Sequence, residues 1–149
     1  MQWLEDAGFE HYEISNFAKP GLQSRHNSSY WKGKKYLGIG PSAHSFNGSS
    51  RQWNISNNNQ YIESISKEII PFEKEVLTAT QKLNEYIMTS LRTKEGLNLD
   101  KLENHNKTGI LNTAERFINS GTMILKGTSL ILTKEGKLLA DGIAAELFF

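Results

Sequence analysis

Two of the chain's four histidines, His26 and His44, stand fewer than twenty positions apart, each beside groups that could make it a ligand. His26 opens the run His26-Asn27-Ser28-Ser29-Tyr30-Trp31. If that run makes a helical turn, His26 and Tyr30 share one face, and Asn27 and Trp31 the next, because residues four apart are neighbours on a helix surface. An imidazole beside two large rings suits a flat, apolar, metal-bearing guest. The same three residue types also describe a hydrogen-bonded packing corner, and spacing alone leaves both readings open.

The second group is Gly38-Ile39-Gly40-Pro41-Ser42-Ala43-His44. It is not a phosphate loop, since no Gly-Lys-Ser/Thr follows and Pro41 lacks an amide donor. Tyr36 to Ile39 reads as a short buried strand closed by Gly-Pro, and α/β folds place ligands just past such strands. Glu13, Ser15 and Asn16 finish an earlier strand on the same expected rim. His11 and His105 read as structural. No two histidines have helical i,i+4 spacing and no acidic cluster flanks them, so a hydrolytic metal site lacks support, and no Ser-His-Asp motif is present.

The elements that must position these groups follow in chain order. Met1 to Ala7 reads as a helix end with Gly8 as its left-handed terminator, and Phe9 to Ile14 as a strand. Helix, glycine, strand is half of a βαβ repeat, which predicts a parallel sheet. Ser15 to Ser24 reads as a polar loop and Arg51 to Ser56 as a short extended piece. Asn57 caps a helix running through Lys67, and Ile69 to Phe72, with Pro71, marks a boundary. Thr78-x-x-Gln81 matches a capping box, so a helix is predicted over Thr78 to Leu91. Asn98 caps a short helix, and Ile110, Ala114 and Phe117 stripe a third that stops at Gly121. Met123 to Leu125 and Ser129 to Leu132 pair as a hairpin, and Thr133 caps a last helix carrying Leu139, Ile143 and Leu147.

Composition narrows the class. Of the 149 residues, 38% are hydrophobic and 22% charged, with net charge +1, as expected for a globular chain. No apolar run approaches the length of a membrane helix, and no leader-like segment is visible. The absence of cysteine excludes disulfides and thiolate metal sites within this chain and agrees with a reducing cytoplasm. A helical trio with a two-stranded wing outlines a winged helix, a fold that often binds nucleic acid. Residues 69–149, however, hold ten basic and ten acidic side chains, without the basic excess that neutralises phosphates. The expectation is therefore no nucleic acid, with a winged-helix nucleic-acid-binding module as the alternative of another class.

Three motifs carry a resemblance: Gly8-Phe9-Glu10-His11-Tyr12-Glu13-Ile14-Ser15-Asn16-Phe17-Ala18, His26-Asn27-x-x-Tyr30-Trp31, and Gly38-Ile39-Gly40-Pro41-x-Ala43-His44-Ser45. Weaker matches are Arg51-x-Trp53-Asn54, Leu91-Arg92-x-x-x-Gly96 and Leu132-Thr133-x-x-Gly136. Together they resemble the carboxy-terminal part of the oxygen-independent coproporphyrinogen III oxidase family of radical-S-adenosylmethionine proteins, in its haem-chaperone branch. The resemblance implies an α+β chain: the last strands and helices of a radical-SAM (β/α) barrel over residues 1–68, then a winged-helix-like domain over 69–149. It implies haem contact at His26, Asn27, Tyr30 and Trp31, with His26 as axial iron ligand. It also places Gly38, Gly40, Ser42, Ala43 and His44 near S-adenosylmethionine. The family's [4Fe–4S] cluster needs three cysteines, so its ligands are expected upstream of residue 1 and no catalytic residue is expected in this fragment. Expected partners are porphyrin or haem, the N-terminal remainder of the barrel, haem-accepting proteins, and a second copy at an exposed sheet edge. The alternative within the family is an oxidase acting on coproporphyrinogen III.

Overall fold

Every strand pairing in the computed structural model, which describes residues 1–149, is antiparallel. In chain order the first half contains α1 (Gln2–Asp6), β1 (Glu10–Glu13), β2 (Asn16–Ala18), α2 (Arg25–Trp31), β3 (His44–Phe46), β4 (Ser50–Asn54), α3 (Asn58–Ser66) and β5 (Phe72–Val76). The second half contains α4 (Ala79–Leu91), β6 (Leu97–Asn98), a 3-10 turn (Leu99–Lys101), α5 (Asn104–Asn119), β7 (Met123–Lys126), β8 (Ser129–Leu132), α6 (Lys134–Lys137) and α7 (Ala140–Glu146). The chain is α+β.

The expected parallel sheet is not found, and the reason is local. The segment read as a polar loop contains β2, which folds back on β1. The Glu13 carboxylate accepts the Ser15 amide at 3.0 Å and the Asn16 side-chain amide, closing a turn that competes with any crossover. Glu13, Ser15 and Asn16 are thus joined to one another in a turn between β1 and β2.

Two compact units form: Met1–Lys32 together with Thr80–Phe149, and Gly33–Ala79. This division falls elsewhere than the expected boundary after residue 68. Beyond Pro71, β5 pairs along β4 over five residues and stays with the segment before it.

The core lies in the first unit. Ile87 and Leu91 of α4, Ile110 and Ala114 of α5, and Met123 and Leu130 of the hairpin are enclosed together, the i,i+4 spacings doing what their periodicity predicts. The strand order is β6-β8-β7. Thr133 caps α6 by accepting the Gly136 amide, but the expected single last helix is two. It stops at Lys137 and resumes at Ala140, leaving Leu139 58% exposed while Ile143 and Leu147 are buried. The first strand is stitched on through backbone bonds from Ile14 N–H to the Arg92 carbonyl (3.0 Å) and from Lys94 N–H to the Tyr12 carbonyl (3.1 Å).

The second unit is a sheet of order β3-β4-β5 with α3, whose first turn is capped by Asn57. It holds little apolar core. Leu77 is its one buried large aliphatic side chain, whereas Leu37, Ile39, Ile62, Ile69, Ile70 and Val76 are exposed. Tyr36 to Ile39 is not the buried strand its composition predicts: only Tyr36 bridges, to Phe46, and Ile39 is 85% exposed. The Gly38 amide is taken by the Ser45 hydroxyl at 2.9 Å, so it is not free to join a ladder.

Candidate functional site

Ser24 starts the helix that carries the first candidate group. Its side chain accepts the Asn27 amide at 3.2 Å, satisfying a helix N–H that would otherwise lack a partner. The expected helical turn therefore exists, and it places His26 and Tyr30 together. The Tyr30 hydroxyl lies 3.2 Å from His26 Nε2, and the rings meet edge to face with centroids 5.1 Å apart. His26 is exposed and Tyr30 is 40% exposed. A nitrogen donor and a phenolic oxygen thus share one accessible helix face.

Trp31 turns to the neighbouring face and away from this pair. The Arg92 guanidinium lies 5.2 Å from its ring centroid, within the range of cation–π attraction. The indole Nε1 is buried with no hydrogen-bond partner. Arg92 is itself held by Glu13, whose side chain is wholly buried, at 3.0 Å and by Asp141 at 3.2 Å. Asn27 contributes its backbone amide to the helix cap.

The second candidate group belongs to the other unit. Gly40 (φ +103°) and Ser42 (φ +59°) both take left-handed backbone conformations, natural for glycine and uncommon for serine. Gly38 approaches so closely that a Cβ there would lie 2.2 Å from the His44 carbonyl oxygen. Asn54 ties the loop down, donating its side-chain amide to Gly40 O at 2.9 Å and its backbone amide to Ala43 O at 3.0 Å. His44 is exposed at the start of β3, its ring 6.3 Å from that of its cross-strand partner Trp53.

The other histidines have structural surroundings. His11 stacks on Phe17 at 4.1 Å, with Nε2 at 2.9 Å from the Ile14 carbonyl and Nδ1 at 3.1 Å from Lys137 Nζ. Burial, then the charge of Lys137, pushes its pKa below the ordinary value, against a raising effect of the Ile14 bond. His105 lies in the first turn of α5, beside Glu103. Glu13 was read only as a strand-end polar residue, and sequence reasoning missed its grouping with Arg92 and Asp141. The weak Leu91-Arg92-x-x-x-Gly96 match was the available signal, but nothing in it pointed to Trp31.

Over 97% of its length the chain is 35% identical to "Heme chaperone HemW" of Mycobacterium tuberculosis, of which it covers 36%. What it matches in that relative is the C-terminal part. The chain is also 30% identical to HemW of Bacillus subtilis over 96% of its length and 39% of that protein. A 41-residue stretch is 61% identical to the mouse mitochondrial "Radical S-adenosyl methionine domain-containing protein 1". The chain therefore spans little more than a third of the curated HemW relatives it matches. Among solved structures, Escherichia coli HemN, a coproporphyrinogen III oxidase described as a radical SAM enzyme, superposes with TM-score 0.73 at 17% identity. The match covers 99% of this chain and 38% of that one, and shows a shared fold. No family model matches the chain.

Proposed function

We propose that this chain is the haem-contacting C-terminal part of a HemW-type haem chaperone, with His26 as axial ligand to the iron of its haem cargo. The observation that carries this reading is the exposed His26–Tyr30 pair on one face of α2. Neutral imidazole is a common haem ligand, and a hydrogen bond at the second ring nitrogen fixes tautomer and orientation. Such a pair at a surface fits a planar guest that must be taken up and released. Tyr30 borders the macrocycle. Trp31, with one face occupied by Arg92, offers an edge or its other face, and Asn27 fixes the turn.

The loop from Gly38 to His44, with Gly40, Ser42 and Ala43, is assigned to the neighbourhood of S-adenosylmethionine in the full-length protein. The close backbone packing that glycines permit supports this. The [4Fe–4S] cluster belongs to the remainder of the parent, because this chain has no cysteine. In that parent, the stretch through β5 belongs to the end of the radical-SAM barrel, and the segment from Thr80 onward forms a winged-helix-like domain in which the β7–β8 hairpin is the wing. The remaining barrel, haem-accepting proteins and a second copy at an exposed sheet edge are its partners, in the cytoplasm. No helix is long and apolar enough to cross a membrane.

The test is a haemin titration followed in the Soret band. His26→Ala removes the ligand-dependent shift, while His105→Ala and His44→Ala retain it. An equal response in all three variants rejects the assignment. The fold neighbour's oxidase activity is the second reading, and turnover of coproporphyrinogen III by the full-length protein with S-adenosylmethionine would favour it.

A further inference from the structure

Trp31 poses a physical problem. Its indole N–H is buried without an acceptor, an arrangement that ordinarily drives a tryptophan to find a partner or swing outward. What opposes that movement is a cation. Arg92 follows the last residue of α4, and its guanidinium lies over the indole ring. Two different guanidinium nitrogens are engaged, Nε by Glu13 of β1 and a terminal nitrogen by Asp141 of α7. Two anchors on a planar fork fix the plane as well as the position, which a lysine ammonium cannot do. The Arg92 backbone carbonyl accepts the Ile14 amide, so the residue joins β1, α2, α4 and α7 at one place.

We propose that Arg92 is the positioning residue of α2: a fixed cation that grips Trp31 and so holds the helix with its His26–Tyr30 face outward. This inference rests on the haem reading for its purpose, but the grip itself does not depend on haem. The C-terminal helices are then part of the apparatus that presents the ligand pair. The positions of His26 and Tyr30, one helical face away from Trp31, follow from where the indole is clamped.

The experiment uses the whole chain with Trp3 and Trp53 replaced by Phe, so that emission reports Trp31 alone. Removing Arg92 by itself would strand the buried Glu13 carboxylate and threaten folding. The informative variant is therefore the pair Glu13→Gln/Arg92→Gln, which keeps a hydrogen-bonded couple but deletes the cation. Arg92→Lys is its conservative companion. With far-UV circular dichroism unchanged, the double variant is expected to shift Trp31 emission to the red and increase its quenching by acrylamide, Arg92→Lys falling between it and the parent. In haemin titrations the double variant is expected to bind about tenfold more weakly, the scale of losing a partner that orients a ligand. In a Trp31→Leu background the same change should add nothing.

Unaltered Trp31 emission and quenching in a folded double variant overturns the proposal. So does a haemin defect that persists undiminished in the Trp31→Leu background. If the unsubstituted chain shows no saturable haemin binding, the haem reading fails while the emission measurements still decide the role of Arg92.

Discussion

The ammonium of Lys137 lies 3.1 Å from Nδ1 of His11, whose other ring nitrogen faces the Ile14 carbonyl at 2.9 Å. This geometry fixes the neutral tautomer, with Nε2–H donating to Ile14 and Nδ1 accepting from Lys137. A second proton, on Nδ1, would face the Lys137 ammonium and make the buried His11 ring a cation beside it. Burial lowers the His11 pKa first, Lys137 lowers it further, and Ile14 and Glu5 oppose them. Burial also depresses Lys137 itself, opposed by Glu5 and reinforced by Lys134.

The pH dependence has a definite sign. A histidine whose folded pKa is depressed binds more protons when unfolded, so its contribution to stability is complete above the unfolded value of about 6.5 and is lost as pH falls through the folded one. Urea midpoints should therefore drop between pH 7.5 and pH 5. His11→Phe keeps the stack on Phe17 but cannot titrate, and should flatten that part of the profile. A drop of equal size in the variant would locate the effect elsewhere.

Two glycines of the last helices should respond in opposite directions to alanine. A Cβ on Gly136 would lie 1.8 Å from the Thr122 carbonyl oxygen, so Gly136→Ala should cost about 3 kcal/mol or more by forcing backbone apart. Gly142 lies within α7, has nothing within 4 Å of an added Cβ and carries no left-handed φ. Gly142→Ala should therefore stabilise by about 0.5–1 kcal/mol. Thermal melts of the two variants give the comparison directly.

The cap at Thr133 is worth a separate measurement. Its hydroxyl accepts the Gly136 amide at 3.2 Å and donates to the Gly121 carbonyl at 2.9 Å, tying the start of α6 to the turn before β7. Thr133→Ala should destabilise the chain by about 1–2 kcal/mol, while Thr133→Ser should retain most of that.

Hydrogen exchange should separate the two units. Amides of β7 and β8 lie over an enclosed core, whereas β3, β4 and β5 belong to a unit with one buried large aliphatic side chain. Low local burial favours local opening, so β4 amides are expected to exchange faster than those of β8 in the isolated chain. Equal protection would mean that the sheet is sustained by something other than apolar burial.

Much of the local structure was readable from residue types. The caps at Asn57, Asn98 and Thr133 and the hairpin around Gly127 depend on neighbours within a few positions, and they formed where those signals stood. The helical pairing of His26 with Tyr30 was legible for the same reason. Tyr36 to Ile39 misled because an apolar run reports a wish for burial without saying what will cover it. The β1–β2 hairpin was missed because its turn depends on Glu13 accepting bonds from Ser15 and Asn16, a pattern with no glycine or proline to announce it. Arg92 under Trp31 joins residues far apart in sequence, and no local periodicity encodes such a meeting.

The first thirty-two residues pack with the segment from Thr80 onward, and the intervening stretch forms its own unit. During synthesis, then, the helix that carries His26 and Trp31 emerges from the ribosome well before Arg92, Lys94 or Lys137 exists to hold this unit together. Closing that interval carries an entropic cost that local helices do not face. The nascent chain passes through a stage in which Trp31 has no clamp and Glu13 no counter-charge, and a pause in translation before residue 92 would prolong it.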